Sequence, residues 1–311
     1  MDRRGFLRGL AAAGAGPLTA RLAFARSSAA ARLRLGITSD EVSPDLETAL
    51  KFAREFGLEW VEIRNLGRQY GTDVSLEDAR KARELLDSYK IKVSVLDTAL
   101  YKCALPGTKL QKPTKDDYPY AEQEALLDRA IERSQILGTR FIRVFSFWRV
   151  EKPETALDAV VEHLRKSVER ARRADRVLLL ENVGGANAET SAEAAKVLAA
   201  IPSPNFALAW DPNNAFCGGE RPYPEGYGCL DKKRILHVHL RDARRDPASG
   251  RCEWQPVGKG EIDNLGLLRA LVKDGFRGTL NLETHYQRPD RNKELASRES
   301  LKGLLEVIEK I

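Results

Sequence analysis

The chain is predicted to fold as one closed barrel of eight parallel β-strands, each followed by a helix. Short apolar runs rich in β-branched and aromatic residues alternate with amphipathic segments, and this unit recurs through the chain. An open, doubly wound sheet would show a Gly-rich phosphate turn after its first strand, but Gly36–Asp40 is GITSD. No segment has the composition of a linker, so residues 32–311 are expected to form a single domain, the (β/α)8 TIM barrel.

The strand candidates are short apolar runs bounded by loop residues, as buried parallel strands are. In chain order they are Leu33–Thr38, Trp60–Ile63, Lys92–Leu96, Phe141–Phe145, Val177–Glu181, Phe206–Asp211, Ile235–Leu240 and Thr279–Glu283. The longest irregular stretches, Leu100–Tyr118 and Phe216–Asp231, follow the third and sixth strands. Both stretches therefore fall on the face where this fold keeps its active site.

The segments between the strands carry the signals that begin and end helices. Ser75 and Asp263 are predicted N-caps, and Pro153 stands where a first-turn proline belongs. Gly57 follows an apolar helical face and is a predicted C-cap. The last helix is expected to begin at about Leu295 and to run to the end of the chain.

Residues 1–25 are predicted to be a twin-arginine signal peptide and not part of the fold. Asp2–Arg8 contains an adjacent arginine pair, an apolar run rich in Ala and Gly follows, and Ala23–Ala25 offers the small residues that a signal peptidase recognises. The chain is expected to stay flexible to about residue 31. The apolar run is too short to span a bilayer, and no later segment reaches the roughly 20 residues required. The protein is therefore expected to be periplasmic or otherwise exported.

The overall charge and the cysteines exclude two classes of protein. The net charge is +6, and residues 1–25 hold four arginines and one aspartate, so their removal leaves +3, too little to indicate nucleic-acid binding. The four cysteines lack the Cys-x-x-Cys spacing of a structural zinc site. A Cys217–Cys229 disulfide is conceivable, but free thiols are the favoured expectation, for these two as for Cys103 and Cys252.

Acidic or imidazole side chains stand at the ends of the last four strands. They are Glu181, Asp211, His239 and Glu283, and the alternation of side chains along each strand points all four into the C-terminal mouth of the barrel. A single carboxylate at a strand end commonly caps a loop, but three converging carboxylates would repel one another and lose solvation. One shared divalent metal removes this conflict. Three carboxylates and one imidazole favour Mn²⁺, with Mg²⁺, Co²⁺ and Zn²⁺ as alternatives.

The other histidines are expected to play different parts. His237 has the parity of His239 but lies one layer deeper, and is predicted to be a core histidine hydrogen-bonded to Asn281. His163 falls on a surface helix with no expected chemical role. His285 follows Glu283 by two residues and could face the mouth as a substrate contact.

Five segments carry a family resemblance through their order and spacing. They are Leu180–Asn182, Trp210–Asn214, His237–Asp242, Gly258–Asp263 and Leu282–Glu283. Together they resemble the xylose-isomerase-like TIM barrels, a superfamily of sugar isomerases and epimerases, inosose and dehydroshikimate dehydratases, and zinc endonucleases acting at abasic DNA. The resemblance covers nearly all of the chain after the signal peptide.

The resemblance implies a metal bound by the four strand-end residues, with Glu181 and Glu283 also moving protons. One glutamate removes the proton beside a carbonyl, the metal stabilises the enediolate, and the other returns a proton to the opposite face. The expected substrate contacts are Glu62, Arg143, Trp148, Asn187, Asn214, Arg245 and His285. Asn187 and Asn214 depart from the ketose epimerases, which usually have glutamate and histidine there.

The leading functional prediction is a metal-dependent isomerase or epimerase of a small carbohydrate or polyol. A metal-dependent lyase or dehydratase acting on a keto sugar or inosose, including 3-keto-glycoside cleavage, begins with the same proton abstraction and is the first alternative. A non-catalytic exported sugar-binding barrel is the second alternative, although it leaves the metal ligands unexplained. A multi-zinc nuclease needs more histidines than the chain supplies, so no nucleic-acid partner is expected. The sequence leaves the oligomeric state open.

Overall fold

Eight parallel strands close into one barrel in a computed structural model that describes residues 33–311. The predicted signal peptide, residues 1–25, lies outside these described residues. The barrel strands are β1 Arg34–Thr38, β2 Trp60–Ile63, β3 Lys92–Leu96, β4 Phe141–Val144, β5 Val177–Glu181, β6 Phe206–Trp210, β7 Ile235–Leu240 and β8 Thr279–Leu282. Each strand pairs with its neighbours in the sequence, and β8 closes the barrel against β1. The predicted single-domain TIM barrel is thus confirmed.

Helices follow the strands and cover the outside of the barrel. They are α1 Ser39–Val42, α2 Leu46–Glu55, α3 Leu76–Ser88, α4 Gln123–Leu137, α5 Leu157–Arg173, α6 Ser191–Ala200, α7 Pro212–Cys217, α8 Asn264–Lys273 and α9 Lys293–Ile308. Single helical turns lie at Tyr120–Glu122, Pro153–Thr155, Pro222–Gly226, Tyr227–Cys229 and Lys232–Arg234. Within residues 33–311, no helix is both long and apolar enough to cross a bilayer.

The predicted helix ends match local hydrogen bonds and backbone angles. The Ser75 hydroxyl accepts the Asp78 N–H at 3.0 Å, and the Asp263 carboxylate accepts the Gly266 N–H at 2.8 Å, so each satisfies a first-turn donor. Gly57 has φ +69°, a left-handed conformation that favours glycine just after a helix. Pro153 begins a separate helical turn just before α5 and does not stand inside α5 itself.

The barrel has an outer and an inner apolar layer. Alternate strand residues such as Leu178 and Leu208 pack against the helices. The opposite parity fills a smaller inner cluster, which includes Val177, Leu179, Ala207 and Ala209. Glu181 shares the parity of Val177 and Leu179, so its side chain follows the inner cluster toward the mouth, as the sequence predicted.

One wall of the mouth is a β-hairpin cross-linked to α7. The hairpin pairs Asp242–Arg245 with Cys252–Gln255 in antiparallel register. A disulfide joins Cys217, the last residue of α7, to Cys252 in the hairpin, while Cys103 and Cys229 are free thiols. The expectation of four free thiols was therefore wrong, and so was the alternative Cys217–Cys229 pair, because the hairpin folds back over α7 and brings Cys252 to Cys217.

Candidate metal centre at the barrel mouth

The four strand-end residues come together in one buried cluster at the mouth. Each of Glu181, Asp211, His239 and Glu283 offers one ligand atom, and these atoms all lie within 4.8 Å of one another. All four side chains are buried. We call this group the four-residue cluster. Asp211 begins α7 directly after β6, where its carboxylate accepts the Asn214 N–H at 2.8 Å.

The imidazole of His239 lies among the three carboxylates of the cluster. Its Nδ1 atom is 3.1 Å from Glu181 Oε1, 3.6 Å from Asp211 Oδ2 and 3.7 Å from Glu283 Oε2. Burial opposes the charged imidazolium, but the charges of Glu62, Glu181 and Glu283 outweigh it and raise the pKa of His239 well above its usual range. The site therefore attracts positive charge to the position that Nδ1 faces.

Two buried carboxylate oxygens of the cluster lack hydrogen-bond partners. Glu181 Oε2 lies 3.1 Å from Arg143 Nη1, and Glu283 Oε2 lies 3.4 Å from Arg241 Nε, but neither contact has hydrogen-bond geometry. A buried acceptor without a partner costs about 1–3 kcal/mol. Three carboxylates, two of which have an oxygen without a hydrogen-bond partner, and one imidazole nitrogen form a donor set that fits a divalent cation.

Arginine side chains compensate part of the negative charge, which the sequence analysis did not anticipate. Arg241 pairs with Asp211 through Nη2, and Arg64 Nη1 lies 2.9 Å from Glu283 Oε1. Burial opposes ionisation of Glu283, but the charges of Arg241, His285 and His239 hold its pKa well below the usual range. Arg241 continues the parity of His239 beyond the end of β7, so alternation along the strand could have identified it.

A second buried pair, Asp97 and Arg143, borders the cluster. Arg143 Nη1 lies 2.8 Å from Asp97 Oδ2, and both side chains are nearly inaccessible to solvent. Burial, and to a lesser extent the negative charge of Glu62, raises the pKa of Asp97 well above its ordinary value. The positive charge of Arg143 acts in the opposite direction but does not outweigh them. Asp97 follows β3 with the parity of Val93 and Val95, a signal that the sequence analysis did not use.

Beneath the cluster lies a hydrogen-bonded floor, formed by Glu62, His237 and Thr279. His237 Nδ1 lies 2.7 Å from Thr279 Oγ1, and its Nε2 lies 3.2 Å from Glu62 Oε2. His237 is a core histidine as predicted, but its predicted partner was wrong. The strand register places Thr279 beside His237, whereas Asn281 lies beside His239 and donates to Ser94.

Besides Glu62, three of the expected substrate contacts reach the cluster. Arg143 contacts Glu181, and Asn214 Nδ2 lies 3.4 Å from Glu181 Oε1. His285 is one-third exposed, and its Nε2 lies 3.3 Å from Glu283 Oε1. Arg143 and Asn214 are buried against Glu181, so His285 is the most exposed of the three.

Two other expected contacts support loops. The Asn187 amide donates to the Ser146 and Trp148 carbonyls and accepts the Val150 N–H. The Trp148 indole donates to Asp116 at 2.9 Å. The polar groups of Asn187 are thus engaged by the backbone of the loop after β4.

The last two expected contacts, Glu62 and Arg245, are engaged by other groups of the protein. Glu62 is fully buried in the floor. Arg245 turns toward α7, where its guanidinium lies over the Phe216 ring at 4.9 Å and donates to the Phe216 carbonyl. Arg245, expected from the sequence to hold substrate oxygens, thus contacts α7 in this structure, whereas Arg241 contacts Asp211 of the cluster.

An aromatic residue of the hairpin, Trp254, also faces the mouth and was missed. The Arg241 guanidinium lies 5.3 Å from the Trp254 ring centre, and the His285 ring meets Trp254 edge-on at 5.6 Å. The position of Trp254 in the sequence does not predict this contact, because the contact depends on how the hairpin folds back.

The chain is an eight-stranded barrel that carries at its mouth a cluster of three carboxylates and one histidine, a group able to hold a metal ion. The sequence profile of the xylose isomerase-like TIM barrel family matches residues 50–307, and the chain belongs to this family. The resemblance seen in the sequence is thereby confirmed. None of the curated proteins matches the chain by sequence.

Solved structures with the same fold include proteins described by different activities. The IOLI protein with a binding zinc atom is 21% identical with TM-score 0.69, and the match covers 89% of this chain and 99% of that chain. A D-tagatose 3-epimerase-like protein is 21% identical with TM-score 0.65, with coverage of 89% and 99%. The probable 3-DHS dehydratase AsbF of Bacillus anthracis is 14% identical with TM-score 0.66, with coverage of 86% and 98%. At these identities the likeness shows the fold alone.

Proposed function

We propose that this protein is a metal-dependent isomerase or epimerase of a sugar or polyol, and that it removes the proton beside a substrate carbonyl group. One observation carries the proposal: His239 Nδ1 faces three buried carboxylates, two of whose oxygens have no hydrogen-bond partner. The epimerase-like and dehydratase relatives with the same fold support an activity of this class. A non-catalytic barrel that binds a neutral sugar would not require this cluster of three carboxylates and one histidine.

The proposed ligands of one divalent ion are Glu181, Asp211, His239 and Glu283. Their oxygen-rich donor set favours Mn²⁺, with Mg²⁺, Co²⁺ and Zn²⁺ as alternatives. The zinc atom of the IOLI protein supports keeping Zn²⁺ among these ions. A divalent cation held here would stabilise negative charge on a substrate oxygen as the neighbouring proton leaves.

The proposed proton-transfer groups are Glu181 and Glu283. They come from β5 and from the end of β8, which are separated in the barrel by β6 and β7. A substrate carbon between them can lose a proton to the glutamate that is ionised and receive a proton on its opposite face from the other glutamate in its protonated form. Neighbouring positive charges hold the pKa of Glu283 well below the usual range, which keeps this carboxylate ionised, as a metal ligand must be.

A lyase is the second candidate, and His285 is the observation that favours it. The position that carries glutamate in the ketose epimerases holds Asn187, whose amide is engaged by the loop after β4. His285 is partly exposed beside Glu283 and can supply the proton that a leaving hydroxyl or glycosyl group requires.

Exchange with solvent deuterium tests the proposal. The metal-loaded protein would be incubated in D₂O with a panel of ketoses, inososes and 3-keto-glucosides, and the products followed by NMR. An isomerase or epimerase places deuterium at the carbon beside the carbonyl, whereas a lyase also releases water or a glycosyl group. No exchange with any member of the panel, at full metal loading, would contradict both candidates.

Substitution of the two glutamates separates proton transfer from metal binding. Glu→Gln at the abstracting residue should abolish exchange, while the same change at the other should preserve exchange and block net inversion, because each carboxylate serves one face. We therefore expect the Glu181→Gln and Glu283→Gln variants to differ. Glu253→Gln, on the exposed part of the hairpin, is the matched control. Near-normal turnover in both metal-loaded variants would show that these glutamates bind the metal but do not transfer protons.

We also propose that the protein acts outside the cytoplasm after twin-arginine export. The Cys217–Cys252 disulfide supports this proposal, because disulfides persist mainly in oxidising compartments. The adjacent arginines in Asp2–Arg8 support the proposed export route.

A further inference from the structure

We propose that Glu62 is a positioning residue, which holds His239 so that its Nδ1 atom, and not Nε2, is presented to the metal. This inference rests on the proposed metal centre. The two Glu62 oxygens lie 3.0 and 3.1 Å from His239 Nε2, and both side chains are completely buried. Glu62 therefore contacts the imidazole on the side opposite to Glu181, which lies 3.1 Å from Nδ1.

The assignment follows from the number of protons on the imidazole ring. A metal binds the neutral form of imidazole, which carries one N–H, and an ionised carboxylate can only accept hydrogen bonds. With the proton on Nε2, His239 donates to Glu62 and its Nδ1 lone pair faces the three carboxylates of the cluster. With the proton on Nδ1, the Nε2 lone pair would face Glu62 oxygens at 3.0–3.1 Å without a hydrogen bond, and the ligand nitrogen would be blocked.

The Glu62 carboxylate is itself held by contacts from other strands. The Thr38 hydroxyl, at the end of β1, donates to Glu62 Oε2 at 3.2 Å, and His237 Nε2 lies at the same distance from that atom. His237 is held in turn by Thr279 of β8 at 2.7 Å. Groups from β1 and β7 thus hold Glu62 directly, and β8 supports it through His237.

A carboxylate that orients a metal-binding histidine has a characteristic effect on metal affinity. Loss of such a partner weakens metal binding by about 10–100-fold, because the ring orientation and the tautomer are no longer fixed. Glu62→Leu removes both acceptor oxygens and should produce a loss of this size. Glu62→Gln keeps one acceptor oxygen and nearly the same shape, so a smaller loss is expected.

Affinity for Zn²⁺, measured by competition with a chromophoric chelator, provides the first test. Ser94→Ala is the matched control, since Ser94 is equally buried in the barrel and contacts Val61 and Asn281 but not His239. Its affinity should equal that of wild type. If Glu62→Leu does not fold by circular dichroism, Glu62→Gln carries the test. Wild-type affinity in a folded Glu62 variant would overturn the inference.

Nitrogen-15 NMR of labelled histidines provides a second readout, which shows the nitrogen of His239 that carries the proton and the nitrogen that binds the metal. A Glu62 that only stabilised the fold would not determine this choice. The chain contains only four histidines, so each ring can be assigned by substitution. In the zinc-loaded protein, Nε2 of His239 should keep its proton, and the chemical shift of Nδ1 should change on metal binding. A metal-dependent change at Nε2 instead would overturn this inference without contradicting the proposed metal centre. Absence of zinc binding in wild type would instead refute the proposed metal centre.

Discussion

Removal of the Cys217–Cys252 disulfide is expected to lower the free energy of unfolding substantially while leaving the barrel folded. The bond joins residues that are 35 positions apart. In the chain-entropy treatment, a closed loop of this length restricts the unfolded chain by about 4 kcal/mol at 25 °C. Reduction, or the Cys217→Ser and Cys252→Ser double substitution, should remove this contribution.

The native hairpin should keep its place after the bond is broken, so the loss should come mainly from the unfolded state. Arg245 still donates to the Phe216 carbonyl and lies over its ring. The Asp242 carboxylate still accepts backbone N–H groups from Gly258 and Gly260 at 2.8 and 3.1 Å. Circular dichroism of the variant should therefore match that of wild type under native conditions.

Equilibrium unfolding in urea, followed by tryptophan fluorescence, measures the effect with and without reductant. The oxidised protein should be more stable by about 4 kcal/mol, and Cys229→Ser should behave as wild type because that thiol is free and exposed. Thiol titration of denatured, unreduced protein should find two reactive thiols. Identical unfolding curves, or four reactive thiols, would refute the reasoning.

Three further predictions concern the signal peptide and α6. Replacing Arg3 and Arg4 by Lys should leave the precursor in the cytoplasm, and normal accumulation outside it, measured by fractionation, would contradict the export proposal. Thr190→Ala should cost about 1 kcal/mol in urea unfolding, because Thr190 and Glu193 form a capping box at the start of α6; an unchanged midpoint would contradict this. Burial opposes ionisation of Glu193, but Arg149 and backbone donors lower its pKa below the ordinary 4.5. The ionised Glu193 thus stabilises the fold above pH 4.5, and this stabilisation is lost as the pH falls through the lowered pKa. Glu193→Gln should therefore weaken the decrease in the free energy of unfolding at acid pH. The same pH dependence in this variant and in wild type would contradict the prediction.

The fold could be predicted because each strand carries its own signal. β2, β3, β5 and β7 match the predicted ranges, since a short and largely apolar run ends at a polar loop residue in each case. The predicted ends of three other strands extend one residue too far, to Phe145, Asp211 and Glu283. Asp211 leaves the sheet because its backbone turns into α7, where its carboxylate becomes the N-cap.

Convergence of the four-residue cluster was also predictable, because strand parity and the closed barrel together determine where strand ends point. The hydrogen-bond partner of His237 could not be predicted, since it depends on the register between two strands that are distant in sequence. The partner of Cys217 depends on the path of the hairpin, and the contacts of Arg64 and Arg241 depend on long side chains that reach across the mouth. Such contacts carry no periodic signal in the sequence.

Metal content tests the central claim most directly. Protein purified without chelator should contain about one divalent ion per chain, as expected when one cation occupies the cluster. Asp211→Asn and His239→Ala should lose most of it, whereas the matched controls Asp117→Asn and His163→Ala should retain it. Full occupancy in both cluster variants, or wild-type protein that binds no divalent ion when supplied with Mn²⁺, Mg²⁺, Co²⁺ or Zn²⁺, would contradict the account.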